Sequence, residues 1–272
     1  MLLGEPPRTQ YDLSFNVLGF PVRVHPFFWL AAFILGSSGG ESKDGEGQNA
    51  GLLILIWVVS LFASILIHEL GHSLMMRRFG ISSHIVLHMM GGLAIPDSFG
   101  FGSQHRDSRS SILISFAGPA AGFMFAGLIV LVILVAGGDF KVNLAYGFPF
   151  FRFALPGASG LEITPWDHLT HALLSINIIW GLVNLLPVYP LDGGQIARTL
   201  MIDQDPGGGT IRSLWLSVIT GGGMAVFGWV RLGSFFVAIM FGMLAFQSYM
   251  AIQQMRGGGG FGRGGFGGGK PW

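Results

Sequence analysis

The sequence has no cysteine, which excludes a disulfide scaffold and removes the residue that would report on redox compartment. Charge is also scarce. Asp, Glu, Lys and Arg make up 11% of 272 residues, where soluble domains carry about 25%. The two signs nearly cancel, 15 basic against 14 acidic for a formal charge of +1, which argues against a nucleic-acid partner. A cleaved leader is not expected: residues 1–24 contain Glu5, Arg8, Asp12 and Arg23 and lack an apolar core before a small-residue cleavage site. What remains is apolar. Hydrophobic residues reach 51% and the mean hydropathy is +0.60, more apolar surface than one soluble domain of this size can hide. The apolar runs are continuous, not alternating, so helices are expected in preference to a barrel.

Six runs read as membrane spans, at about 25–37, 51–77, 111–137, 168–188, 211–230 and 232–253. The first is short for a span; the others approach the roughly 20 residues needed to cross about 30 Å of hydrocarbon. The expected architecture is therefore an all-α polytopic membrane protein of about six transmembrane helices. With this arrangement eleven of the 15 Lys and Arg residues lie on the side of the termini. Lys43, Lys141, Arg152 and Arg231 lie opposite. The positive-inside rule then puts both termini in the cytoplasm. Residues 1–254 form one core and residues 255–272 a flexible tail; between Gly257 and Gly269 ten of thirteen residues are glycine.

Ionisable residues inside such spans are functional candidates, because each costs on the order of 2.5–3.5 kcal/mol near the bilayer centre. The second span ends Ile67-His68-Glu69-Leu70-Gly71-His72. His68 and His72 are i and i+4, so both rings leave one helix face and can reach one metal ion. Glu69 sits beside that face, where it can accept a proton from water on the ion. A chance His-Glu-x-x-His is expected only about 0.004 times in this composition. Arg77 and Arg78 mark the cytoplasmic interface, and nine residues at 1.5 Å place His68 about 13 Å within the membrane, in its cytoplasmic half. The bland alternative is a pair of histidines hydrogen-bonded across a helix bundle.

A zinc site normally has three protein ligands and a water. The third candidate is Asp192, the only carboxylate between Leu169 and Gly194. It lies in Asn184-Leu-Leu-Pro187-Val-Tyr-Pro190-Leu-Asp192-Gly193-Gly194, where two prolines and two glycines break the helix. Alone, Asp192 reads as evenly a turn or helix N-cap residue as a ligand; paired with the histidines it reads as a ligand. His84, His88 and His105 are weaker candidates, His84 and His88 reading as packing or surface residues. His168 and His171 read as interfacial. Asn177 either lines the cavity or makes a helix–helix hydrogen bond.

These motifs together resemble the site-2 protease family of intramembrane zinc metalloproteases. The resemblance covers most of the chain, including Val22-Arg23-Val24-His25-Pro26, the His68–His72 motif, Gly91-Gly92-Leu93-Ala94, Gly118-Pro119 and Asn184 to Gly194. It implies one Zn2+ per chain, held by His68, His72 and Asp192, with Glu69 as general base and acid. It makes Asn184 a candidate for polarising the scissile carbonyl or holding the oxyanion. It also implies a small membrane-dipping β segment after the second span, placing His84–Ile95 beside the cleft. The implied partners are transmembrane protein substrates and the lipid bilayer. One position departs: Gly122 stands where the family often has asparagine, and Gly118 to Gly122 reads as a helix-packing seam. No segment is long enough for an inserted PDZ domain or appended CBS domains, so a minimal core is expected. The rival readings are a membrane metal transporter, which would repeat such polar sites along a path, and an inactive membrane scaffold, which gives Glu69 no purpose.

Overall fold

The computed structural model describes residues 5–38, 50–97, 107–145, 148–154 and 164–257, residues 139–145 and 148–154 by their backbone. The expectations for residues 39–48, His105 and the glycine tail beyond Gly257 lie outside the described residues. The chain forms two compact units, Met1–Leu185 and Leu186–Trp272.

The first unit joins a four-stranded sheet to long apolar helices. Its strands are β1 (Leu13–Val17), β2 (Phe20–Val24), β3 (Ser83–His88) and β4 (Gly91–Pro96), in the order β1-β2-β3-β4. The β1–β2 and β3–β4 pairs are antiparallel, while β2 and β3 are parallel, with Val22 opposite Ile85 and Val24 opposite Leu87. A parallel pair needs a long crossover. Here it consists of α1 (Pro26–Ser38) and α2 (Ala50–Arg78). Alternate residues of the sheet, Phe20, Val22 and Val24 with Ile85 and Leu87, form one core with Phe28 and Ala32 of α1 and Leu61 and Ile65 of α2.

Helix α2 stops at a C-terminal cap: Arg77 and Arg78 complement the helix dipole, Gly80 has φ +73°, and the Ile81 amide donates back to the Met76 carbonyl at 3.0 Å. Arg77 also donates to the Leu18 carbonyl at 2.9 Å and lies over the Phe20 ring, tying the β1–β2 turn to the helix. Helix α3 (Ser108–Val135) follows, then a hairpin of β5 (Asp139–Ala145) and β6 (Phe148–Ala154). The expected fourth span is a composite. α4 (Pro165–Ser175) passes through a π-helical turn, Ile176–Trp180, into the short α5 (Gly181–Asn184). It begins three residues earlier than expected because Thr164 and Asp167 form a capping box.

The second unit contains α6 (Asp192–Gln204), α7 (Gly209–Val230) and α8 (Phe235–Gly257). Across the described residues four helices, α2, α3, α7 and α8, are long and apolar enough to cross a membrane. In each apolar window only 22–28% of the residues are buried within the protein, so the rest are at least partly exposed, as lipid-facing helices require. α1 is a shorter apolar helix of 13 residues. The expected helical fold is present, but the β content exceeds the single segment expected after the second span: β1, β2 and the β5–β6 hairpin were not anticipated.

The N-terminal strands are clamped by charge. Buried Arg23 on β2 donates to Asp12 and Glu5 at 2.8 Å each and to the Pro6 carbonyl at 3.0 Å. Desolvation alone would raise the pKa of Asp12. Hydrogen bonds from Thr9 and Arg23, with the guanidinium charge, outweigh it and hold the carboxyl at about 2, against 3.8 ordinarily. Because the folded-state value is depressed, the stabilisation is present above 3.8 and is lost as pH falls through about 2. Asp12→Asn is expected to lower the thermal midpoint by a few degrees at pH 6. Thermal unfolding of both proteins along a pH series should show that gap closing between pH 3.8 and about 2.

Candidate metal centre

The last three turns of α2 carry the motif. His68, Glu69 and His72 are all buried there, at 5%, 6% and 7% exposure. The rings of His68 and His72 meet edge to face, with their Nε2 atoms 3.2 Å apart. The far side of the His72 ring faces the Ile114 carbonyl of α3, which lies 2.7 Å from Nδ1. A carbonyl oxygen only accepts, so Nδ1 carries the hydrogen and Nε2 of the neutral ring presents its lone pair to His68. Two nitrogens bound at about 2.0–2.1 Å to one tetrahedral ion stand about 3.3 Å apart. The observed pair fits that spacing, so these two side chains suit a divalent cation.

Helix α3 comes this close because α2 has no side chain at Gly71. A Cβ there would overlap the Ala117 carbonyl oxygen and lie 2.8 Å from the Ala121 Cβ. The seam expected between Gly118 and Gly122 therefore divides into separate contacts. Gly71 lies on Ala117, Gly118 faces the two histidines, and Gly122 faces Asn177. Of its two expected roles, Asn177 takes the helix–helix hydrogen bond. Its Nδ2 donates to Ser64 Oγ of α2 at 2.8 Å and to the Leu173 carbonyl at 2.7 Å.

Glu69 points at the sheet. Its carboxyl packs on β4 at Gly92, where a Cβ would overlap Glu69 Cγ and stand 2.6 Å from Oε1. Asn184, also buried, closes α5. His84 is not at the centre; its Nδ1 is 2.6 Å from Asp97 Oδ1 on the outer part of the sheet. His88 is a packed strand residue whose Nδ1 accepts from the Met90 amide at 3.3 Å.

In the second unit Asp192 opens α6 and is 7% exposed. It is neither a turn residue nor the N-cap, which is Leu191. The chain before it is folded back tightly. The Leu191 amide donates to the Val188 carbonyl at 2.8 Å, and a Cβ at Gly194 would overlap the backbone of Val188. The Tyr189 amide donates to Ser217 Oγ at 2.9 Å, holding this turn on α7. Asp192 thus sits in the first turn of a 13-residue helix, where the helix dipole favours an anion.

Sequence reasoning did not single out the Ile114 carbonyl or the contacts of Gly92 and Gly118. A backbone carbonyl carries no side-chain signature, and a glycine does not announce what lies against it.

Comparison with known proteins identifies the family of the chain. The chain is 26% identical over 189 residues to a zinc metalloprotease of Methanocaldococcus jannaschii, covering 69% of this chain and 44% of that protein. It is 28% identical over 202 residues to Rip3 of Mycobacterium tuberculosis, covering 68% and 42%. The chain thus spans less than half the length of these curated relatives. A solved site-2 protease from Methanocaldococcus jannaschii aligns with a TM-score of 0.47 and 23% identity, covering 90% of this chain and 94% of that one. The sequence model of Peptidase family M50 matches residues 56–225. That stretch is more than half of the 272 residues and holds the His-Glu-x-x-His motif and Asp192. This integral membrane protein therefore belongs to peptidase family M50.

Proposed function

We propose that this chain is an intramembrane zinc metalloprotease of the site-2 type, hydrolysing peptide bonds in or near transmembrane segments of membrane proteins. The observation that carries the reading is the pair of Nε2 atoms 3.2 Å apart on α2, one of them fixed as a lone-pair donor by the Ile114 carbonyl. His68, His72 and Asp192 hold the ion. Bound there, zinc supplies Lewis-acid chemistry, polarising a carbonyl and acidifying water. Glu69 takes the proton of the attacking water and returns it to the leaving nitrogen. Asn184 donates to the developing oxyanion.

The substrate helix must unwind, because helical hydrogen bonds occupy the carbonyls that have to be attacked. β4 is the last strand in the order β1-β2-β3-β4 and packs on Glu69 at Gly92. A substrate strand added to its outer edge is brought beside the base. In this reading α1 and the composite 165–184 segment complete six spans, both termini are cytoplasmic, and the centre lies in the cytoplasmic half of the bilayer.

Zinc analysis and cleavage of a membrane-embedded peptide with a helix-destabilised span test the assignment together. Wild type should carry about one zinc per chain, and Asp192→Ala should lose most of it. Unchanged zinc in Asp192→Ala moves the third ligand elsewhere. Glu69→Gln should keep zinc and slow cleavage by roughly 10²–10⁴-fold; full activity in that variant removes Glu69 from its role. Gly92→Ala should keep zinc while the added methyl displaces the Glu69 carboxyl, with about 10²-fold slower cleavage. Wild-type cleavage rates in Gly92→Ala would show that β4 does not set the position of the base.

A further inference from the structure

The contact of Gly118 with the histidines is not explained by helix packing. A Cβ on Gly118 would overlap Nε2 of His72 and stand 2.8 Å from Nε2 of His68. It would therefore lie against the two coordinating atoms themselves, at a range comparable to the bonds of about 2.0–2.1 Å that a zinc ion makes to imidazole nitrogen. The space that Gly118 leaves open borders the position an ion shared by both rings must take.

The His72 ring cannot easily move aside. Nδ1 is tied to the carbonyl of Ile114, and Gly118 lies one turn further along the same face of α3. The imidazole therefore lies lengthwise on α3, bonded at one end and against the glycine at the other. Swinging Nε2 away from position 118 breaks the Nδ1 hydrogen bond and the convergence with His68. Withdrawing α3 instead would undo its contact with Gly71. The glycine one turn later shows the contrast: a Cβ on Gly122 would meet Asn177 Oδ1 at 3.4 Å, an ordinary packing distance.

We propose that Gly118 is a positioning residue for the metal, keeping open the space in which an ion joins His68 to His72. The proposal rests on the zinc reading above, and it assigns to α3 a steric role in metal binding without adding a ligand.

The test uses the full chain, stripped with chelator and titrated with Zn2+ alone. The readouts are bound zinc per chain and the rise in thermal midpoint on zinc addition. Wild type and Gly127→Ala should bind zinc alike, because a Cβ at Gly127 on the same helix meets nothing within 4 Å. His72→Ala should lose binding. Gly118→Ala should weaken zinc by at least about 10–100-fold, the range seen when groups behind a ligand are altered. Its metal-free protein should stay folded, with a midpoint lowered by several degrees because the ring must give way at its Nδ1 bond.

Zinc binding in Gly118→Ala equal to wild type overturns the proposal while leaving the zinc reading intact. Wild type that binds no zinc, or His72→Ala that still binds it, overturns the zinc reading and this proposal with it. If the metal-free Gly118→Ala protein is itself unfolded, the double variant His72→Ala/Gly118→Ala decides. Truncating His72 removes the closest overlap, so recovery of the folded metal-free protein supports the proposal and no recovery overturns it.

Discussion

The arrangement depends on one hydrogen bond made by a backbone carbonyl. Ile114 accepts from Nδ1 of His72 at 2.7 Å and thereby fixes which nitrogen of that ring is free. Without it the ring could present either tautomer, and the 3.2 Å approach of the two Nε2 atoms would have no defined chemistry. The bond is available only because α3 lies directly on α2 at Gly71. A polar contact of this kind in an apolar setting holds strongly, since leaving a buried donor unpaired costs about 1–3 kcal/mol. Orientation of the metal-binding face thus follows from how closely two apolar helices pack.

On the proposed function the sheet would solve a second problem. A helix that crosses lipid has no spare backbone groups, so it cannot itself hold an unwound peptide. Strands β3 and β4 follow α2 directly, and β2 secures them through parallel pairing, with the His25 amide also donating to the Leu87 carbonyl at 2.9 Å. Arg23 and Asp12 fasten β1 and β2 from the outer side. The N-terminal residues are therefore structural partners of the site, holding the hairpin on which Glu69 rests.

Much of this was legible in the sequence, for reasons that can be traced to particular residues. Helices α2, α3, α7 and α8 were readable because continuous apolar runs of this length have few other physical solutions. His68, Glu69 and His72 stood out because polar groups in such runs are costly and the i, i+4 spacing has geometric meaning. The N-terminal strands were missed, although Phe20, Val22 and Val24 alternate after a Leu18-Gly19 turn. Five residues of alternation are a weak signal beside a strongly apolar chain. The start of α4 was legible in Thr164-Pro165-Trp166-Asp167, a capping pattern hidden because the apolar run itself begins later. The partners of Gly71, Gly92 and Gly118 could not be read, because each depends on a segment distant in sequence or on another helix.

Glu69 stands between the histidines of its own helix and the strand at Gly92, and in the proposed protease this would link substrate binding to proton transfer. The edge that would receive an unwound peptide belongs to the same strand whose missing side chain leaves room for the Glu69 carboxyl. A peptide that paired with β4 in register would settle the strand against Glu69. A peptide that remains helical offers no backbone groups to that edge and leaves its carbonyls engaged. On the proposed function, selectivity for unwound segments would then follow from the geometry of one strand and would need no recognition of a side-chain sequence. On the proposed function, a hydrolytic centre gains from lying against a sheet edge: the strand that would align the scissile bond is also the one that packs on Glu69.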